Sequence, residues 1–212
     1  MGLSVVGDFL RDRSSDTVRN YALAFGAVVF ASLSVSLSGP LGKLPDLLRV
    51  ILGAIGLALL VRVVEFALLR LRAAPMIGEW VYASTSGNSG RASIRLSGNS
   101  LTYDVDLYRT EADLRDAVTG SPAKVAGSAT GEFGVYEHGE FRVHYNVRYS
   151  STDYPARQGS LVVKTVAGRA DQLHGYWFSD LIEIKDGKAT NTGELEYERV
   201  GTFLARGVDA PR

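Results

Sequence analysis

Long apolar runs fill the first third of the chain, and short stretches of alternating apolar and polar residues fill the remainder. The first run, residues 21–37, carries no charge. The segment 18–38 is long enough to cross a hydrocarbon core of about 30 Å as a helix. Gly39 and Pro40 follow this segment and are expected to end the helix.

A second apolar run covers residues 47–71, with a charge-free centre at residues 50–61 that is short for a complete span. Arg62 and Glu65 follow this centre, and their spacing of three lets them pair on one face of a helix. An amphipathic core helix of a soluble protein is the alternative interpretation. Because the run follows so closely on an apolar segment of full length, we predict a transmembrane hairpin over residues 18–73.

After Pro75 the apolar period changes to two, which is typical of half-buried strands. Strands are predicted at residues 77–84, 91–97, 100–108, 124–132, 140–150, 159–166, 172–179 and 193–204. Only residues 110–118 show a helical pattern, with Thr110 as the predicted N-cap. About eight short antiparallel strands favour either a sandwich or a closed up-and-down barrel.

The two ends of the β domain favour the barrel. Gly-Glu-Trp at residues 78–80 opens the first strand, and Arg199 alternates onto the same face as Leu195, Tyr197 and Phe203 in the last. A guanidinium can cover an indole ring where the first and last strands meet, an arrangement that resembles the closure of lipocalin-like barrels. The predicted fold is therefore a membrane α-helical hairpin of two N-terminal transmembrane helices, followed by a small antiparallel, about eight-stranded lipocalin-like β-barrel.

Charge separates the same two parts of the chain. Residues 1–73 contain eight Lys/Arg and five Asp/Glu, whereas residues 74–212 contain fifteen and eighteen, so the net charges are +3 and −3. A slightly acidic β domain argues against duplex nucleic acid as a partner, because a protein that binds a duplex requires a basic face. The absence of cysteine excludes a disulfide framework and a thiolate metal site.

Basic residues near the apolar segments predict the orientation. Five arginines flank the hairpin on its outer ends, whereas the loop between the two segments offers only Lys43. The flanking residues are Arg11, Arg13, Arg19, Arg70 and Arg72. This distribution favours both termini inside. We therefore expect a cytoplasmic segment at 1–17, a cytoplasmic ligand-binding barrel at 74–206 and a tail at 207–212, in a multi-pass protein of a bacterial inner (plasma) membrane.

Catalytic patterns are missing from the sequence. The three histidines show no metal-ligand spacing, and neither a phosphate-binding Gly-rich loop nor a nucleophile elbow occurs. Glu194, Glu196 and Glu198 alternate with apolar residues and are interpreted as a solvated face. We therefore expect no enzymatic activity, no catalytic residue, no metal and no cofactor.

The plan of the whole chain resembles a family of bacterial defence proteins, the SMODS-associated two-transmembrane, β-strand-rich effectors of CBASS anti-phage systems. The resemblance rests on the helix pair at 18–71, on the junction Pro-Met-Ile-Gly-Glu-Trp-Val-Tyr at 75–82, and on Gly-Glu-Leu-Glu-Tyr-Glu-Arg at 193–199. It implies that the barrel binds a cyclic oligonucleotide second messenger. Binding would promote oligomerisation of the transmembrane helices, inner-membrane disruption and cell death as an antiviral defence.

A cyclic dinucleotide presents flat bases and phosphates, so its recognition needs aromatic surfaces and arginine. Five aromatic residues are the candidate stacking groups, namely Tyr82, Tyr103, Tyr145, Tyr149 and Trp177. Four arginines are the candidate phosphate partners, namely Arg95, Arg142, Arg148 and Arg199, although the first three alternate onto the polar faces of their strands. Core packing is the other explanation for each ring. The alternative function is an inner-membrane protein whose barrel binds a lipid or scaffolds partners.

Overall fold

The computed structural model describes residues 15–41, 46–85, 87–152, 155–185 and 188–206. The chain forms two compact units, Met1–Ala73 and Ala74–Arg212. The predicted N-terminal segment lies outside the described residues as far as residue 14, and the predicted tail lies outside them entirely.

Two long helices make up the first unit, α1 (Ser15–Leu41) and α2 (Asp46–Ala73). The prediction that Gly39 and Pro40 end the first helix is wrong, because α1 includes both residues. A proline close to the end of a helix removes one backbone hydrogen bond without forcing an earlier stop. The helix ends one residue later, at Leu41.

Small residues bring α1 and α2 close together. A Cβ atom added at Gly26 would lie 3.1 Å from Cγ2 of Val61, and one added at Gly53 would lie 3.2 Å from Cζ of Phe30. Glycine at these positions therefore permits the close helix approach that is common between membrane helices. These contacts lie within one hairpin.

The predicted ion pair in α2 is confirmed, since Nη1 of Arg62 lies 3.3 Å from Oε2 of Glu65. Nε of Arg19, on α1, lies 3.7 Å from Oε1 of the same carboxylate. Among the described residues, one helical segment, Ile51–Ala73, is long and apolar enough to cross a membrane, and none of its apolar window is buried. A crossing by α1 stays a prediction.

Eight antiparallel strands form the second unit and close into a barrel in sequence order. The strands are β1 (Gly78–Ser84), β2 (Ser89–Ser97), β3 (Ser100–Tyr108), β4 (Gly127–Glu137), β5 (Glu140–Tyr149), β6 (Arg157–Val166), β7 (Arg169–Lys185) and β8 (Lys188–Arg199). The barrel prediction is confirmed, and the sandwich alternative is excluded because β1 pairs with β8. Alternating residues such as Tyr103, Phe141 and Leu173 are buried inside, as expected.

The closed end of the barrel contains the predicted aromatic–arginine contact. The guanidinium carbon of Arg199 lies 4.0 Å from the centre of the Trp80 ring. Its two terminal nitrogens donate hydrogen bonds to the carbonyl oxygens of Ile77, at 2.8 Å, and Pro75, at 2.9 Å. Trp80 is fully buried and donates from Nε1 to the carbonyl oxygen of Met76 at 2.8 Å. The side chain of Arg199 therefore ties the first strand to the last.

Two short helices pack outside the barrel, α3 (Glu111–Thr119) and α4 (Val200–Arg206). Thr110 caps α3 as predicted, because its side chain accepts a hydrogen bond from the backbone N–H of Asp113 at 3.1 Å. Leu114 of α3 and Phe203 of α4 form a buried cluster with Val81 and Tyr108.

The last predicted strand, 193–204, is too long at its C-terminal end. The barrel closes at Arg199, and the chain then turns into α4, so Phe203 packs outside instead of sharing the inward face. Glu194 and Glu196 are exposed as expected. Glu198 is a correction, because it is buried and forms an ion pair with Arg206 of α4.

The fourth strand, predicted at 124–132, lies instead at Gly127–Glu137. Its pairing with β5 shifts register between Glu132 and Val135, which inserts an extra residue as in a β-bulge. Two consecutive side chains, Glu132 and Phe133, consequently point outward, and this break in the alternation hides the second half of the strand from a sequence pattern.

Candidate functional site

A cavity of about 540 Å³ occupies the end of the barrel opposite the contact between Trp80 and Arg199. Residues at the strand ends line its mouth, among them Ser84 of β1, Tyr149 of β5 and Arg157 of β6. Its volume lies in the range of small-molecule sites, about 300–1,000 Å³.

All five aromatic residues predicted as stacking groups line this cavity, namely Tyr82, Tyr103, Tyr145, Tyr149 and Trp177. Alternation explains this result, because each ring occupies an inward position of its strand. Their placement inside the barrel is thus as expected, and their role as stacking groups stays a prediction. The alternation pattern could not show that space remained beside the rings.

Glycines on neighbouring strands make room for the aromatic rings. Trp177 lies directly across from Gly193, and Tyr145 lies across from Gly159. A Cβ atom at Gly193 would collide with the indole, and one at Gly159 would lie 2.7 Å from the Tyr145 hydroxyl oxygen. A strand glycine facing an aromatic residue is thus the signal of close approach here.

Buried tyrosine side chains lie at and behind the inner end of the cavity, and two of their hydroxyls form a hydrogen bond. The hydroxyl oxygens of Tyr103 and Tyr197 lie 2.9 Å apart, and the rings of Tyr82 and Tyr197 lie 5.3 Å apart. Burial raises the pKa of Tyr82, Tyr103 and Tyr197 well above the usual value, and burial raises the pKa of Tyr145 to about 12. These hydroxyls therefore stay protonated at neutral pH, and Tyr82, Tyr103 and Tyr145 present neutral side chains to the cavity.

We expect the barrel to lose stability as the pH rises above about 10. In the unfolded chain tyrosine ionises near pH 10, whereas the folded barrel holds Tyr145 protonated up to about pH 12. Between these values the unfolded state binds fewer protons, so the free energy of unfolding falls. The urea midpoint of unfolding of the full-length protein in detergent, measured from pH 8 to pH 12, checks this loss of stability. In the Tyr145→Phe variant the midpoint should change less with pH. A midpoint that does not change over this range would contradict the burial of these hydroxyls.

The four arginines predicted to bind phosphate lie outside the cavity. Arg95 pairs with Glu79 on the outer wall, with Nη2 at 3.4 Å from Oε1, and Arg142 pairs with Glu140 at 2.6 Å. Arg148 is exposed on the outer face of β5. Together with Arg199 at the closed end, these residues do not line the cavity, because their strand positions direct the first three outward.

Two arginines that the sequence analysis did not select line the cavity instead, Arg109 and Arg157. Arg109 directly follows the last residue of β3, and Arg157 is the first residue of β6. The guanidinium carbon of Arg157 lies 5.7 Å from the centre of the Tyr149 ring. No carboxylate occurs among the described residues that line this cavity, although the charge of Asp180, on β7, contributes to the raised pKa of Tyr145.

The arrangement is suited to binding. Aromatic faces, neutral hydroxyls and two cations converge on one concave space, which is the combination that a planar anion requires. Within the described part of the chain no group of three or more His, Cys, Asp or Glu residues is placed to hold a metal ion.

Comparison of the chain with protein families, with curated proteins and with solved structures gives no match.

Proposed function

We propose that this chain is a membrane-embedded effector whose barrel binds a cyclic oligonucleotide in the cavity lined by Tyr82, Tyr103, Tyr145, Tyr149 and Trp177. Binding favours an assembled state of the transmembrane helices, and assembly disrupts the inner membrane and kills the infected cell. The observation that carries the proposal is an aromatic cavity that also contains Arg109 and Arg157 and no described carboxylate.

The two kinds of side chain match the two parts of such a ligand. A nucleobase stacks on aromatic rings, with about 1–3 kcal/mol lost per base when the ring is removed. Guanidinium groups bind phosphate oxygens through paired, charge-assisted hydrogen bonds. In this cavity Trp177 and Tyr149 offer the faces, and Arg157 and Arg109 offer the charges.

The lining argues against the alternative of a lipid ligand. An acyl chain is best enclosed by aliphatic side chains, whereas this wall carries tyrosine hydroxyls and, near its mouth, Ser84, Thr85 and Asn88. Ser84 accepts a hydrogen bond from Nε1 of Trp177 at 3.2 Å, and Thr85 accepts one from the backbone N–H of Glu194 at 3.1 Å. A wall of this polarity suits a ligand with its own donors and acceptors better than an acyl chain.

The membrane part of the proposal is supported by the apolar surface of α1 and α2. The segment Ile51–Ala73 meets the length and composition required for a crossing. Side chains on both helices leave much of their apolar surface uncovered, including Val28 at 66% exposed and Leu59 at 63%. We propose that both helices cross the bilayer, with both termini and the barrel in the cytoplasm. A ligand then changes helix association only through its differential affinity for the assembled state.

Titration of the full-length protein in nanodiscs with a panel of cyclic di- and trinucleotides tests the receptor function. We expect at least one member to raise the melting temperature by several degrees, because ligand at a hundredfold excess over Kd stabilises by about 2.7 kcal/mol. A linear dinucleotide and a fatty acid are the comparison ligands. Stabilisation by the fatty acid with no response to any cyclic nucleotide would overturn the proposal in favour of the lipid binder.

A further inference from the structure

An ion cluster joins the two helices of the first unit. Glu65 of α2 contacts Arg62 of the same helix at 3.3 Å and Arg19 of α1 at 3.7 Å. The side chain of Glu65 is only 16% exposed, whereas those of Arg19 and Arg62 are 71% and 72% exposed. A single carboxylate therefore holds two guanidinium groups whose surfaces stay largely uncovered. Two positive charges and one negative charge leave the cluster with a formal charge of +1.

The contacts between α1 and α2 set the depth of this cluster in a bilayer. Arg19 lies beside Glu65, and Phe30 lies beside Gly53, so the helices are antiparallel and the cluster lies near the start of α1. Residues 20–41 follow it along α1 without a charge, and at 1.5 Å per residue they cover about 33 Å. This length matches a hydrocarbon core of about 30 Å. The cluster therefore lies at the level where hydrocarbon meets the lipid headgroups.

Three further observations support this depth. Arg62 lies in the middle of the apolar segment Ile51–Ala73, but a bilayer centred there would also enclose Asp16 and Arg19 of α1, which is unfavourable. Tyr21 follows closely on α1 and is 46% exposed, and tyrosine is enriched at membrane interfaces. The guanidinium of Arg62 reaches along α2 toward the same boundary, as a snorkelling side chain does.

The chemistry of the cluster and its surroundings suits an anionic headgroup. Residues 15–20 and 62–73, which form this end of the two helices, contain four arginines and two acidic residues. A guanidinium binds phosphate oxygens through paired, charge-assisted hydrogen bonds, and basic sites between transmembrane helices bind anionic headgroups. A zwitterionic headgroup carries its own cation beside the phosphate. The excess positive charge therefore favours a headgroup that has none.

We propose that Arg19 and Arg62 bind the phosphate of an anionic glycerophospholipid, such as phosphatidylglycerol, in the leaflet that surrounds the cluster. Glu65 orients the two guanidinium groups, one from each helix, toward the same headgroup, so the lipid bridges α1 and α2. This inference rests on the proposed crossing of the bilayer by both helices, and it does not depend on what the cavity binds.

Native mass spectrometry of the full-length protein measures the lipid preference. The protein is released from nanodiscs that contain equal amounts of phosphatidylglycerol and phosphatidylcholine, and the retained lipids are counted. The wild-type protein should retain phosphatidylglycerol preferentially. Arg19→Gln and Arg62→Gln should each reduce this preference about fivefold, the effect of one basic residue near an anionic surface. An unchanged preference in the double variant would overturn the proposal.

The barrel wall offers a matched control. Arg91 and Arg95 share the carboxylate of Glu79, at 3.3 Å and 3.4 Å, in the same arrangement but outside the helices. The double variant Arg91→Gln/Arg95→Gln removes the same charge and should keep the lipid preference of the wild-type protein. An equal loss in this control would show that net charge alone attracts the lipid, and it would contradict a site at the helices.

Glu65→Gln separates lipid binding from a purely structural ion cluster. This substitution breaks both ion pairs but raises the charge of the cluster from +1 to +2, so the preference for phosphatidylglycerol should not fall. A loss as large as that of the double arginine variant would reduce the cluster to a structural role. An excess of inorganic phosphate, compared with sodium chloride at the same ionic strength, should not displace the lipid. Displacement would show that the site takes a free anion instead.

Alkaline carbonate extraction of membranes distinguishes failure of this inference from failure of the proposed crossing. The wild-type protein and the arginine variants should stay in the membrane fraction. Release of the wild-type protein would contradict the crossing and the lipid site together. Retention of all variants with an unchanged lipid preference would contradict the lipid site alone.

Discussion

Replacing Arg199 with alanine is expected to lower the free energy of unfolding of the barrel by about 3 kcal/mol. The side chain covers Trp80 and donates to the carbonyl oxygens of Ile77 and Pro75. Hydrogen bonds from a charged group contribute about 1.5–3 kcal/mol each, and the cation–π contact adds about 1 kcal/mol. Part of the lost free energy is recovered in the variant, because water can then bind the two exposed carbonyl groups.

Urea unfolding of the full-length protein in detergent, followed by tryptophan fluorescence, measures this effect. Arg95→Ala is the matched control, because the Arg95 side chain forms an exposed ion pair with Glu79, and its loss should cost less than about 1 kcal/mol. The loss of unfolding free energy in Arg199→Lys should lie between those of Arg199→Ala and Arg95→Ala, since an ammonium cannot donate to both carbonyl groups in the same geometry. Equal stability of the Arg199 and Arg95 variants would contradict the role of the closed end.

Arg157→Ala is expected to weaken cyclic dinucleotide binding by about tenfold to a hundredfold, provided that the proposed ligand is correct. Arg157 lines the cavity, and its guanidinium carbon lies 5.7 Å from the centre of the Tyr149 ring, so its loss removes the proposed phosphate partner beside a proposed stacking ring. A charge-assisted hydrogen bond contributes about 1.5–3 kcal/mol, which corresponds to this range of affinity.

Calorimetric titration of the full-length protein in nanodiscs measures this loss. Arg148→Ala removes an arginine from the outer wall of the same barrel and should leave the affinity unchanged. Binding that also weakens with increasing salt would be consistent with a phosphate contact. If the Arg148 variant lost affinity while the Arg157 variant kept it, the ligand would bind outside the cavity.

Alternation alone predicted much of the barrel, because an inward and an outward face repeat every two residues in a strand. The same rule placed the five aromatic residues inside and kept Arg95, Arg142 and Arg148 outside. Closure was predictable as well, since the Gly-x-Trp motif at 78–80 and Arg199 specify a contact between the first and last strands.

Arg109 and Arg157, which line the cavity, were not selected from the sequence because each lies just beyond an end of a predicted strand. The predicted strands 100–108 and 159–166 stop just short of Arg109 and Arg157, although alternation continued past those ends assigns both residues to the inward face. The cavity could not be predicted, because it depends on how rings and glycines of neighbouring strands pack across the register, as for Trp177 and Gly193.

Two further features depend on contacts between distant parts of the chain. The turn into α4 after Arg199 was missed because Phe203 continues the apolar alternation of β8 but packs on Leu114 of α3. The bulge at Phe133 was missed because an inserted residue inverts the pattern that identifies a strand.

Tryptophan fluorescence tests the central claim, that the cavity receives a planar phosphorylated ligand, most directly. The chain has two tryptophans, and only Trp177 lines the cavity, whereas Trp80 is fully buried at the closed end. We predict that a cyclic dinucleotide quenches the fluorescence of the full-length protein saturably, and that Trp177→Phe abolishes the response while binding heat persists. A saturable response that survives in the Trp177→Phe variant, or none with any cyclic oligonucleotide, would contradict the account.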